Sequence, residues 1–96
     1  MELTLSNATK EGEIFYWDVP FPSYKIDLVT VVAKDFGFKV KYNNGAIQYL
    51  ESGRPDSCPC IFTGRFSAFF YEDYSPPITD ISEINFKLIP AENEIV

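Results

Sequence analysis

Histidine is absent from this 96-residue chain. That single gap removes the Ser-His-Asp triad, the Cys-His pair, His-ligated zinc or haem and the imidazole proton shuttle. Cysteine is scarce as well. Cys58 and Cys60 are the only two, too few to close the four-ligand shell of a structural zinc site, so no metal is expected. Five glycines stand singly at 12, 37, 45, 53 and 64, without the clustering that a phosphate-binding loop needs. The longest apolar runs, residues 14–17 and 68–71, fall far short of the ~20 residues that span a bilayer. Residues 1–10 alternate polar and apolar and lack a basic segment followed by an apolar one, so no signal peptide is read there. A cytoplasmic location in a reducing compartment, away from membranes, is the expectation.

Positive charge is also short, with 8 Lys plus Arg against 14 Asp plus Glu, a net charge of -6 and a pI of about 4.4. Lys34, Lys39 and Lys41 form the only local basic cluster. Neutralising nucleic-acid phosphates needs a larger basic footprint, so direct binding to DNA or RNA is not expected. The imbalance is uneven: residues 1–65 hold 8 acids and 7 bases, whereas residues 66–96 hold 6 acids and only Lys87.

What is abundant is bulk. Hydrophobic residues make up 46% of the chain, including 9 Phe, 6 Tyr and 1 Trp, which suffices for residues 1–96 to fold as a single domain. Residues 2–5 and 13–19 read as strands, joined as a hairpin through Lys10-Glu11-Gly12 and ended by Pro20 and Pro22. Phe21 lies between these prolines as a core anchor. Residues 23–37 are ambiguous. Tyr24, Ile26, Leu28, Thr30 and Val32 alternate as in a strand, yet Leu28, Val29, Val32, Ala33 and Phe36 make a helical stripe. Ser23 suits an N-cap and Gly37 a C′ position, so a helix over about residues 24–36 is the favoured expectation.

Phe38, Val40 and Tyr42 then alternate with Lys39 and Lys41, and Asn43-Asn44-Gly45 predicts a type I′ hairpin turn leading into residues 46–50. Residues 51–59 read as a loop, 61–71 as a central strand bent at Gly64, and 82–89 as a last strand with Ile84, Phe86 and Leu88 inward. The predicted order is β-β-α-β-β-β-β: a mostly antiparallel α+β domain with one helix packed on one face. All-β is the alternative if residues 24–33 form a strand.

No constellation for catalysis emerges. Asp18 beside Trp17 is the one acid in a run of large apolar residues, but an acid at a strand end is ordinarily solvated. Cys58-Pro59-Cys60 reads as two small residues at a loop-to-strand junction, because a disulfide between residues i and i+2 closes a strained ring. No catalytic or cofactor-binding residue is assigned, and an enzyme is not expected. The segment Tyr71, Glu72, Asp73 and Tyr74, followed by Pro76-Pro77, combines interface-prone tyrosines, excess acid and a stiffened loop. It is the expected contact site for another protein with a basic surface. The Lys39 and Lys41 hairpin, with its Asn43-Asn44-Gly45 tip, is the second place to look. The functional expectation is a small acidic intracellular protein that binds another protein stoichiometrically, in the manner of a viral inhibitor of host defence or a toxin-neutralising immunity protein. Self-assembly through a sheet edge, or a small-ligand module, is the alternative.

Overall fold

Burial alternates with a two-residue period along Gly37–Tyr42, Phe66–Tyr71 and most of Ile81–Pro90. The computed structural model describes residues 2–6, 9–72, 78 and 80–91. Among these are nine strands and no helix: β1 (Leu3–Leu5), β2 (Thr9–Glu11), β3 (Ile14–Trp17), β4 (Ser23–Ala33), β5 (Gly37–Tyr42), β6 (Ile47–Glu51), β7 (Asp56–Thr63), β8 (Phe66–Tyr71) and β9 (Ile81–Pro90). They form two antiparallel sheets, one of four strands in the order β1-β9-β4-β7 and one of five in the order β2-β3-β8-β5-β6. Apart from the hairpins β2-β3 and β5-β6, every connection passes from one sheet to the other. No helix among the described residues is long and apolar enough to cross a membrane.

The protein is therefore all-β, and the expected α+β arrangement is corrected. The helix predicted over residues 24–36 is replaced by the eleven-residue strand β4, and the reason is a phase slip. Ile26 pairs with Leu88 and Leu28 with Lys87, so Asp27 is one residue too many and the strand bulges there. Before the bulge, Tyr24 and Ile26 face the core; after it, Val29 and Val31 do. The phase change sets Leu28 beside Val29, and a second register irregularity lies between Val32 and Ala33; together these adjacent apolar pairs imitate the stripe of an amphipathic helix. Ser23 opens β4 instead of capping a helix. Gly37 opens β5, and its lack of a side chain serves a close approach: a Cβ there would collide with the Tyr49 hydroxyl.

Other corrections share that nonlocal origin. β1 pairs with β9 in the four-stranded sheet, so the first hairpin joins β2 to β3 through Gly12 and Glu13. The Asn43-Asn44-Gly45 hairpin is present, but as a three-residue loop. Gly45 N–H donates to Tyr42 O and Tyr42 N–H to Ala46 O, both at 2.9 Å, and Gly45 takes φ 89°, which is a type I turn followed by a G1 bulge. Residues 56–59, expected in a loop, belong to β7. There Tyr24 pairs with Phe62 and Ile26 with Cys58, which leaves two surplus residues on β7 around Pro59. The strand expected over 61–71 crosses between the sheets at Gly64 and Arg65, and its second half, β8, is central as anticipated.

The two sheets meet across an aromatic core. Phe66 on β8 is the hub, with ring centroids 5.0 Å from Phe86, 5.4 Å from Trp17, 5.5 Å from Phe62, 5.7 Å from Tyr42 and 6.1 Å from Tyr24. Most of these pairs meet edge to face, the arrangement that the ring quadrupole favours. Phe21 packs, half-buried, against the same core. Side chains close the side where β6 lies beside β7: the buried Tyr42 hydroxyl donates to Gln48 Oε1 at 2.6 Å, and Gln48 Nε2 donates to Ser57 O at 2.9 Å.

Candidate functional site

Because successive strand residues point to opposite faces, the aromatic core fixes what the five-stranded sheet shows to the outside. The register places Thr9, Tyr16 and Ser67 in one row across it. The next row runs Glu11, Ile14, Phe69, Lys41 and Ile47, and a third runs Tyr71, Lys39 and Tyr49. Ile14 is 47% exposed, Ile47 57% and Tyr49 55%. Phe69 and Tyr71, half-buried, stack on each other with centroids 5.5 Å apart and planes 20° apart. At one corner the Arg65 guanidinium lies 4.4 Å over the Tyr16 ring and bonds Asp18 Oδ1 at 3.2 Å. This face is apolar and aromatic at its centre, with lysines among the rings and acids at the rim.

A groove of about 730 Å³ crosses part of this face. Ile14 and Phe69 are among its apolar lining, Lys41 lies on one side, and Glu11 and Glu13 of the β2-β3 hairpin lie on the other. The outer face of the four-stranded sheet differs in character, carrying the pairs Leu28 with Lys87, Thr30 with Asn85 and Val32 with Glu83.

The expected contact segment is only partly placed. Tyr71 ends β8 on the aromatic face, stacked on Phe69, and Glu72 follows it, half-buried. Asp73 and Tyr74, with Pro76 and Pro77, lie outside the described residues. Sequence reasoning missed Ile14, Tyr16, Phe69, Ile47 and Tyr49 as a group. Only part of that set was accessible from local signals: once the Asn43-Asn44-Gly45 turn is taken as a three-residue loop, Lys39 falls opposite Tyr49 and Lys41 opposite Ile47.

Cys58 is buried in the core and Cys60 is exposed beside Pro59, both as free thiols. Among the described residues, no group of three or more Cys, Asp or Glu side chains is close enough to hold a metal ion. Burial pushes the Cys58 thiol from its ordinary 9.0 up to about 11, opposed by a backbone hydrogen bond at Cys60 and aided by the Cys60 side chain and Asp56. Burial also raises the Tyr42 hydroxyl. Both groups are neutral in the folded core and ionise more readily once unfolded. Their contribution to stability is complete below about pH 9 and is lost as pH rises through the folded values, at up to ~1.4 kcal/mol per pH unit per group. Urea midpoints measured from neutral to about pH 11 should fall from about pH 9 onward. Cys58→Ala should delay the fall until the buried Tyr42, which ionises near its ordinary value once unfolded, begins to contribute, about one pH unit higher. A midpoint unchanged up to about pH 10.5 in the wild type would contradict the buried, neutral thiol.

Comparisons of this chain with protein-family models, curated proteins and solved structures yield no match.

Proposed function

We propose that this protein acts by stoichiometric binding to another protein, inside the cell and without catalysis, and that it docks its partner on the outer face of the five-stranded sheet. The observation that carries this reading is where the exposed bulk gathers. Ile14, Ile47 and Tyr49 share the face with the Phe69 and Tyr71 stack, and a contiguous apolar patch of this kind marks interaction surfaces. The ring geometry favours protein over sugar or nucleic acid. A sugar or base stacks on an open ring face, whereas Phe69 and Tyr71 each spend one face on the other. The net charge of -6 opposes a polyanion as well.

Electrostatics then divides the work. The rim acids Glu11 and Glu13, with Glu72 next in the chain after Tyr71, attract a partner with a basic surface, whereas Glu51 is paired with Arg54 at 2.9 Å. Lys41 beside the apolar centre takes up a carboxylate and fixes orientation. Inhibition of a host defence protein or neutralisation of a toxin fits this mode of action.

Ile14→Ser combined with Tyr49→Ser tests the site, because both side chains are exposed and their loss leaves the core intact. With a partner recovered by affinity capture from the cell that makes the protein, calorimetry should show a loss of ~2 kcal/mol or more, roughly thirtyfold in affinity. Glu72→Lys should instead slow association, more at low salt than at high salt. Wild-type affinity in the double variant would place the partner elsewhere.

A further inference from the structure

The four strands at the sheet edges are not equally protected. β1 and β2 span three residues each, and β7 carries Pro59 and its two surplus residues. Short edges, prolines and bulges are the means by which sheets resist pairing with another chain. β6 has none of them: its five residues run in unbroken register with β5 and hold no proline, no bulge and no charge before Glu51.

The phase of that ladder shows which groups are left over. Tyr42 N–H donates to Ala46 O, and Ser52 N–H to Phe36 O, so residues 46, 48, 50 and 52 turn their backbone groups toward β5. Residues 47, 49 and 51 therefore turn theirs outward. Arg54 N–H takes the Glu51 carbonyl at 3.0 Å. The amide and carbonyl of Ile47 and Tyr49 remain along the open edge, in line with side chains that are themselves more than half exposed.

From this edge we infer that β6 pairs antiparallel with β6 of a second copy of the chain, making a two-fold dimer with one continuous ten-stranded sheet. The occupant is a second copy because the edge is complementary to itself. With the two-fold axis at Gln48, Ile47 of each chain faces Tyr49 of the other, and the outward amides of both meet in hydrogen-bonded pairs. An aromatic ring against a β-branched side chain is a favourable cross-strand pair. Glu51 then faces the partner's Gly45, so no like charges oppose each other. Across the seam the outer face continues as Lys41, Ile47, the partner's Tyr49 and the partner's Lys39. The proposed docking face is thereby doubled, and the dimer itself does not depend on that function.

Analytical ultracentrifugation of the purified protein over micromolar to millimolar concentrations tests the inference without any other partner. A monomer–dimer equilibrium is expected for the wild type. Ile47→Lys places a charge on the edge, and Ile47→Pro removes an outward N–H that the β5-β6 ladder does not use. Each should raise the dimer dissociation constant by at least about tenfold, with circular dichroism and melting temperature close to wild type. Thr4→Lys, on the outer face of the other sheet, should leave the constant unchanged. A wild type that stays monomeric throughout overturns the inference, as does a dimer that persists in Ile47→Lys. Wild-type partner affinity in Ile14→Ser with Tyr49→Ser, alongside a wild type that dimerises, would count against the docking face alone.

Discussion

Phe66→Ala is expected to lower the melting temperature by about 12 °C or more and to leave a substantial unfolded population near physiological temperature. Phe66 is fully buried on the central strand β8 and touches rings from both sheets: Trp17 and Tyr42 on its own, Tyr24, Phe62 and Phe86 opposite. Truncating such a phenylalanine costs ~3–5 kcal/mol, because its transfer energy is lost and a cavity remains that five locked rings cannot fill. A domain of this size has only about 5–14 kcal/mol of net stability, so the loss is a large share of the whole. Phe69, three residues on, provides the control. It lies half-buried on the outer face, and Phe69→Ala should cost under about 1.5 kcal/mol. Thermal melts of the two variants compare the same chemical change on opposite faces of one strand; equal losses would contradict the burial of β8.

Val29→Lys and Leu28→Lys form the second pair, at adjacent positions but with a large difference in outcome. Val29 is 0% exposed, whereas Leu28 is 37% exposed and pairs with Lys87 on the outer face. Lysine at 29 would put an ammonium into an aromatic core in which, among the described residues, no polar or charged residue is buried. The penalty for an unpaired buried charge is several kcal/mol, enough to prevent folding. Lysine at 28 reaches water and should cost within about 1 kcal/mol, although its charge beside Lys87 is unfavourable. An amphipathic helix over 24–36 would have placed both residues on its buried face and made both changes damaging. Chemical denaturation of the purified Leu28→Lys protein, with recovery of soluble Val29→Lys, reads the difference.

How much of this was legible in the sequence depends on whether the signal was local. The β5-β6 hairpin was visible because Asn43-Asn44-Gly45 and the alternation around it lie within one stretch of chain. The inward phase of Ile84, Phe86 and Leu88 was visible because β9 alternates without interruption through those positions. β4 was obscured by Asp27: one extra residue shifts every later side chain to the other face, and a two-residue period read without that slip looks like a 3.6-residue one. β7 was hidden by Gly53 and Pro55 just before it and by Pro59 within it, residues usual in loops; Pro59 is accommodated here at an edge with surplus residues.

The candidate site was less legible than the fold, for a related reason. Tyr16, Phe69, Lys41 and Tyr49 come from four different strands and meet only through pairings between β3, β8, β5 and β6. Composition announced many aromatic residues but not which of them would be left outside. Tyr71 and Glu72 were singled out because tyrosine, acid and proline cluster in one segment, and the stack of Tyr71 on Phe69 ties that segment to the face.

The core between the two sheets depends on β4 being a strand whose phase slips at Asp27. Nuclear Overhauser contacts within residues 23–33 measure this directly. Cross-strand contacts are expected between Val29 and Phe86 and between Val31 and Ile84, with Leu28 near Lys87 and a break in the ladder at Asp27. Sequential amide contacts with i to i+3 α-proton contacts through residues 24–36, and no contact to residues 84–88, would show a helix and contradict the sandwich.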